Sequence, residues 1–361
     1  MFRSLILTIM IAVMMPVMAQ DDPFYEEDID LDALYQQIDD IIAQSPKFIE
    51  DHEQQINIRR DSLHMAKSPE QQLLLAEQLF DLYKSFRNDS AIHYAEVCIS
   101  LAESLQRPNV AGRYHALLAY QCSNTDTYTE AINELRKINK AVLDTAGLVA
   151  YYNAWMHVCG EVGNYTQREN VRRHYYDLQN LYRDSVLAVT KEGSEEWLHL
   201  KMDILSAKRQ FQEAMRISDK WLHRVKEGTH EYAYAAFYRS MCYDHLGNEK
   251  LAHYWLGKSA ISDISCAVMN QASLLFLAEH LANKGDIERA RHYMDFSLDR
   301  NLAFHPRMRT YQIDSVINII EKEKQAAQSS VSTILFIAGG IIVLLLLVLF
   351  IVILKRYRTK P

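Results

Sequence analysis

Small residues recur along this chain at a nearly constant spacing, each a few positions after a turn-like segment. The spacing is 40 residues within one pair and 38 within one trio: Ala91 and Ala131, then Ala214, Ala252 and Ala290. The interval of 83 residues between the two groups leaves room for one more copy, which residues 163–166 (Gly-Asn-Tyr-Thr) fill. Such a period is typical of stacked helical hairpins, because each hairpin buries its apolar face only against its neighbours.

The composition favours helices throughout. Only 11 Gly and 7 Pro occur in 361 residues, whereas sheet proteins usually need many Gly and Pro turns. The predicted fold is therefore all-α: a helical-hairpin solenoid of about six hairpins in residues 70–304, plus one C-terminal transmembrane helix.

The repeats resemble the tetratricopeptide repeat (TPR), in which a small residue on the second helix packs between large residues on the first. Two copies follow that pattern closely: Leu274, Leu277, Ala278 and Leu281 before Gly285 with Ala290 after it, and Leu118, Ala119 and Cys122 before Tyr128 with Ala131 after it. The copies around Arg168 and Ala91 depart from the pattern, as does Lys201. We therefore expect displaced helix ends in those copies.

Residues 331–354 form an uncharged run of 24 residues. As a helix, this run reaches about 36 Å, enough to cross a hydrocarbon core of about 30 Å. Four cations follow in residues 355–361: Lys355, Arg356, Arg358 and Lys360. By the positive-inside bias, this tail is predicted to be cytoplasmic. Residues 305–330, before the run, are predicted to form a juxtamembrane helix.

The N-terminus has the layout of a secretory signal. Arg3 precedes an apolar run in residues 5–13, and small residues precede Gln20, so we predict a signal peptide in residues 1–19. An uncleaved anchor is the alternative. The predicted location is the inner membrane, with a single span, a periplasmic N-terminal domain and a cytoplasmic tail.

Residues 20–69 are interpreted as an acidic leader followed by two N-terminal helices, since Leu31 and Leu34 begin an apolar series that continues to Leu63. Together with the signal, the repeats and the span, this layout resembles a family of bacterial envelope TPR proteins described as membrane-anchored transcriptional regulators. That resemblance implies a cytosolic output segment. The chain ends at Pro361, so the output is expected on a partner, or the chain is a shortened member, or its work lies outside the cell.

No catalytic pattern is present. His52-Glu53 lacks the second His of a zinc-protease motif, and neither a Gly-rich phosphate loop nor a nucleophile elbow occurs. We therefore predict no enzyme, no cofactor and no metal. Five cysteines lack zinc-ligand spacing and are expected to be buried free thiols, with a disulfide as the alternative: Cys98, Cys122, Cys159, Cys242 and Cys266.

The register of the repeats predicts a concave binding groove on the first helices. Its predicted residues are Arg113, Tyr120, Asn124, Asn153, His157, Glu161, His199, Asp203, Tyr234, Met241, Asp244, His245, Glu279 and Asn283. Polar and aromatic side chains dominate this set and suit a peptide or protein ligand, although a solvated helix face has a similar composition.

The charge argues against one class of partner. The net charge of -7 includes five cations outside residues 20–354, so that stretch carries -12. An acidic ectodomain disfavours nucleic acid as its partner.

The predicted role is the sensory or interaction part of an envelope regulatory system. Its predicted partners are the membrane, which it contacts through residues 331–354, and a separate cytosolic output protein. The alternatives are a structural scaffold for an envelope complex and a truncated regulator.

Overall fold

The computed structural model describes residue 24, residues 28–269 and 272–304, and short helical stretches at 317–319, 321–322, 325, 336–338 and 340–342. No helix among these residues is both long and apolar enough to cross a membrane. The predicted signal peptide and the cytoplasmic tail lie outside the described residues, as do most of the predicted juxtamembrane helix and most of the predicted span.

Thirteen α-helices and no strand occur in residues 28–269 and 272–304. The helices are α1 Leu31–Met65, α2 Pro69–Tyr83, α3 Asn88–Ser104, α4 Pro108–Ser123, α5 Tyr128–Arg136, α6 Thr145–Tyr165, α7 Glu169–Val189, α8 Glu195–Ala207, α9 Phe211–Leu222, α10 His230–His245, α11 Glu249–Ser265, α12 Ser273–Asn283 and α13 Ile287–Phe304. A single 3-10 turn, Lys140–Val142, follows α5. The described residues divide into two compact units, a larger one with those in 1–277 and 295–308 and a smaller one with those in 278–294 and 309–361.

Within the larger unit, α2 to α11 form consecutive antiparallel hairpins. The two helices of each hairpin pack together: α2 with α3, α4 with α5, α6 with α7, α8 with α9 and α10 with α11. In two places the first helix of one hairpin also packs on the first helix of the next: α4 packs on α6, and α8 packs on α10. This stacking is the expected all-α solenoid.

The repeated alanines mark close helix packing. All five are fully buried, with no exposed surface: Ala91, Ala131, Ala214, Ala252 and Ala290. A methyl side chain lets two helix backbones approach closely, which explains why a small residue recurs at this point of the second helix.

The third hairpin reaches the same packing by another route. Arg168 takes the place of the small residue and is exposed just before α7. The small residues lie instead on the first helix of the pair: a methyl group on Gly163 would lie 2.7 Å from the ring of Tyr176, and one on Gly160 would lie 2.5 Å from the amide of Gln179. The irregular sequence of this copy therefore moves the close contact from α7 to α6.

The N-terminal part corrects one prediction. Instead of two helices, residues 31–65 form a single helix of 35 residues with Pro46 inside it. Asp30 caps its start, because the Asp30 carboxylate accepts a hydrogen bond of 3.1 Å from the backbone N–H of Ala33. Both sides of the proline are packed, since the first half of the helix lies on α11 and the second half on α2.

Candidate interaction face on the first helices

The fourteen predicted groove residues lie on the first helices of successive hairpins or at their ends. We call the surface formed by the twelve of them on α4, α6, α8 and α10 the first-helix face; Glu279 and Asn283 lie in the smaller unit and are not part of it. The residues lie on α4 (Arg113, Tyr120, with Asn124 at its C-terminal cap), α6 (Asn153, His157, Glu161), α8 (His199, Asp203), α10 (Tyr234, Met241, Asp244, His245) and α12 (Glu279, Asn283).

Side chains of α2, α4 and α6 join their helices on this face. Arg113 donates a hydrogen bond of 2.5 Å to the Glu77 carboxylate on α2. The rings of Tyr120 and His157 have centroids 4.0 Å apart, and His157 Nδ1 lies 2.7 Å from the Ser123 hydroxyl. Consecutive first helices are thus held by polar and aromatic contacts.

A similar contact joins α6 to α8. Asn153 donates a hydrogen bond of 2.6 Å from its amide to the carboxylate of Glu196. Burial raises the pKa of Glu196, because desolvation disfavours its charged form, while the hydrogen bond from Asn153 acts in the opposite direction. Glu196 precedes the predicted residue His199 by three positions, but it was not itself predicted.

An aromatic cluster surrounds His199. Its Nε2 lies 3.1 Å from the hydroxyl of Tyr238, and its ring stacks on Trp221 with centroids 5.6 Å apart and contacts Tyr234 at 5.3 Å. Burial lowers the pKa of His199, and nearby Asp203 opposes that shift. The imidazole is therefore held in its neutral form, which can both donate and accept a hydrogen bond.

Asp203 on α8 forms an ion pair with Arg183 on the neighbouring helix α7. Its Oδ2 lies 2.7 Å from Nε of Arg183 on α7. The guanidinium is the more buried partner, with 13% of its side chain exposed against 35% for the carboxylate. The pair joins the second helix of one hairpin to the first helix of the next.

The exposed members of the set lie mainly on α10. Tyr234 keeps 41% of its surface exposed, and Asp244 and His245 are exposed at the end of the helix, where His245 stacks on Phe211 with centroids 4.5 Å apart. Glu161, by contrast, is buried. Of the remaining members, Met241 and Glu279 are half-buried and Asn283 is exposed.

A second cluster was not predicted. Arg239 on α10 is fully buried and donates a hydrogen bond of 2.8 Å to Asp219. Three rings surround its guanidinium, with centroids at 5.1 to 5.6 Å: Trp255, Phe24 and Tyr243. No local sequence pattern identifies this cluster, because its members come from distant parts of the chain. Contacts between cations and aromatic faces help to compensate for burying the charge.

All five cysteines are free thiols in this structure; four are buried and Cys266 is half-buried. Burial raises the pKa of Cys98 and Cys242 to about 12, and that of Cys122, Cys159 and Cys266 to about 11. Since the thiolate is the reactive form, these side chains are poor nucleophiles at neutral pH. Across the part of the chain that the structure describes, no group of three or more His, Cys, Asp or Glu side chains is arranged to hold a metal ion.

The stacked hairpins and the buried small residue at each crossing define a TPR solenoid, a class of protein whose members generally bind protein partners. Residues 42–315 match the family described as the SusR N-terminal TPR domain, and the chain belongs to that family. No curated protein matches the chain.

Proposed function

We propose that this chain is the extracytoplasmic interaction part of an envelope regulatory system, and that its solenoid binds a peptide or protein segment on the first-helix face. The observation that carries this proposal is the exposed ring of Tyr234 on α10, which packs against the His199 cluster. Tyr234 is exposed on one side and backed by the neutral His199 ring on the other. A supported aromatic side chain loses little entropy on binding, which is the character of an interface anchor.

The contacts between hairpins support the same role. Tyr120 with His157, and Asn153 with Glu196, join neighbouring first helices through side chains rather than through backbone. Such contacts hold the exposed side chains in fixed positions before a ligand arrives, and preorganisation lowers the cost of binding. We propose no catalytic activity and no cofactor for this face.

The membrane part of the proposal rests on sequence. Residues 331–354 carry no charge and precede four cations, which supports a single span with the TPR domain outside the cytoplasm. The family description names an N-terminal TPR domain, which agrees with a solenoid placed before such a segment. We propose that the output belongs to a cytosolic segment or to a separate protein beyond the membrane.

A structural scaffold is the second candidate function. A sensor requires a ligand that binds two states of the protein with different affinity, whereas a scaffold does not. The side-chain contacts between first helices, such as Tyr120 with His157 and Asn153 with Glu196, favour a stiff array and are the observation that supports the scaffold.

Photo-crosslinking in intact cells tests the proposed binding face. A benzoylphenylalanine placed at Tyr234 should capture a partner, and the same probe at Arg216, exposed on the second helix α9, should not. Replacing Asp244 and His245 with Ala should reduce capture at least fivefold. Equal capture from both probe positions would place the interaction elsewhere and favour the scaffold.

A reporter fusion tests the topology separately. A cytoplasm-active reporter fused after Pro361 should be functional, and a periplasm-active reporter at the same point should not. The opposite pattern would contradict the proposed orientation without affecting the crosslinking result.

A further inference from the structure

The long helix α1 contacts two parts of the solenoid that are far apart in sequence. Its second half packs on the first hairpin: Ile56 is buried there, and His52 Nε2 lies 2.8 Å from the backbone carbonyl of Leu82. Its first half, residues 31–45, packs on α11 of the fifth hairpin. We call residues 31–45 the docking half of α1.

The docking half presents an apolar stripe to α11. Its buried apolar residues fall at positions i, i+1, i+4 and i+8, which share one face of a helix: Leu34, Tyr35, Ile38 and Ile42. The absence of a side chain at Gly257 allows close contact, since a methyl group there would lie 2.7 Å from Leu34 Cδ2 and 3.2 Å from Ile38 Cδ1. One buried polar contact of 2.8 Å joins the Tyr35 hydroxyl to His253 Nδ1.

The surface beneath the docking half belongs to a helix that is buried on most of its sides. Twelve of the 17 residues of α11 are buried, because α10 covers one side of this helix and α1 covers another. A helix that is buried on several faces exposes a patch of its surface when one neighbour leaves, while its other neighbours still cover the rest. Without the docking half, the space around Gly257 that Leu34 and Ile38 now fill would form an open groove.

The sequence marks the end of the docking half. Pro46 has no backbone N–H, so the carbonyl of Ile42 cannot receive the usual helical hydrogen bond from position 46. The two halves of α1 are therefore coupled less tightly than in an uninterrupted helix. The family match begins at residue 42, so most of the docking half precedes the matched region.

We propose that the docking half is a detachable segment, and that the α11 face beneath it is a helix-binding groove whose resting occupant is this chain's own residues 31–45. Helix-in-groove recognition needs an amphipathic helix with apolar anchors at helical spacing. A partner helix with the spacing of Leu34, Tyr35, Ile38 and Ile42 therefore competes for the groove. This proposal concerns α11 and does not depend on the first-helix face.

The test removes the occupant and keeps the groove. In the full chain, Leu34→Asp with Ile38→Asp places two charges on the buried stripe and should release the docking half. Hydrogen exchange should then accelerate at least tenfold in residues 31–45 and remain slow in α10 and α11. The matched control is Ile58→Asp with Met65→Asp, two exposed positions on the other half of α1, which should leave exchange in residues 31–45 unchanged.

A labelled synthetic peptide of residues 28–45 then probes the groove by fluorescence anisotropy. The peptide should bind the Leu34→Asp/Ile38→Asp chain at least tenfold more tightly than the wild-type chain, whose groove is occupied. Adding Gly257→Phe to the released chain should abolish binding, because the new ring fills the space that Leu34 and Ile38 use.

Two results would overturn the proposal. One is loss of exchange protection across α10 and α11 together with α1 in the released chain, which would make the docking half an integral part of the core. The other is local release of residues 31–45 with no gain in peptide affinity over the wild-type chain, which would mean that the α11 face does not bind a helix.

Discussion

The hydroxyl of Tyr35 lies 2.8 Å from Nδ1 of His253, and both side chains are buried although 218 positions separate them in sequence. A second bond joins the turn of the first hairpin to the segment after α11, since the backbone N–H of Met269 donates to the carbonyl of Ser85 at 2.9 Å. The entropic cost of closing a loop grows only slowly with its length. A few well-packed contacts therefore suffice to join the first hairpin to the fifth.

Tyr35→Phe should destabilise the chain by about 1–3 kcal/mol, because it removes a buried hydrogen-bond partner of His253 while keeping the aromatic ring. Urea denaturation of both chains measures the difference. The control is Tyr128→Phe, which removes only a local bond of 2.9 Å to Asp126 and should cost less. Equal losses of stability in the two variants would show that the contact with His253 contributes no more than a local hydrogen bond.

The solenoid was predictable because its signal is local and repeated. Each alanine at the hairpin crossing could be identified from its spacing, and all five are buried. The third copy shows where this reasoning ends, since its small residues, Gly160 and Gly163, lie on α6 rather than α7. A repeat register counted from the second helix alone does not detect that the small residues have moved to the first helix.

Ala131→Trp should lower the free energy of unfolding by about 1–3 kcal/mol or more, because a large ring cannot fit at a fully buried helix crossing. Thermal unfolding followed by circular dichroism measures the loss. Glu130→Trp, the exposed neighbour on the same helix, is the control and should shift the midpoint little. An unchanged midpoint for Ala131→Trp would contradict the position of the crossing.

The contacts of the predicted site were less predictable than its positions. The repeat register placed Asn153, His199 and Asp203 on first helices, but it could not identify their partners, Glu196, Tyr238 and Arg183. Those pairs depend on how neighbouring hairpins rotate against each other, and no spacing within one hairpin records that rotation. For the same reason, the packing of α1 on α11 has no sequence signature.

The ion pair of Arg183 and Asp203 should show energetic coupling in a double-mutant cycle. Arg183→Met, Asp203→Asn and the double variant, compared by urea denaturation, should give a coupling energy of about 0.5–1 kcal/mol. The pair Arg173 and Glu169, 3.5 Å apart on one exposed turn of α7, is the control and should couple more weakly. A coupling near zero for the first pair would mean that it does not hold α7 to α8.

Glu196→Gln should stabilise the chain at neutral pH. Burial raises the pKa of Glu196, so this carboxyl group binds a proton more tightly in the folded state than in the unfolded state. The protonated carboxyl group therefore stabilises the fold at low pH, and this contribution is lost as the pH rises through the folded pKa. Glutamine keeps an oxygen that accepts the bond from Asn153 and carries no charge.

Thermal midpoints of wild type and Glu196→Gln at several pH values measure this effect. The advantage of the variant should be largest at pH 7 and should shrink as the pH falls toward the ordinary range of a carboxyl. The control is Glu195→Gln, which changes an exposed carboxylate in the first turn of α8, where the helix dipole favours negative charge. That control should be neutral or slightly destabilising, and a gain of the same size in both variants would exclude burial as the cause.

His199 should make the chain less stable in mild acid. Its folded pKa lies below the ordinary value of 6.5 because of burial, so the unfolded state takes up the proton first as the pH falls. Stability from this group is therefore complete above about pH 6.5 and declines below it, until the folded imidazole also binds a proton. His199→Phe keeps a ring against Trp221 and removes the titration, so its free energy of unfolding should fall less steeply between pH 7 and pH 5 than that of the wild type.

His174→Phe, at an exposed position on α7, is the control and should retain the wild-type slope in the same urea titrations. If His199→Phe has the wild-type slope as well, the acid sensitivity arises from other groups and the buried neutral imidazole does not contribute to it.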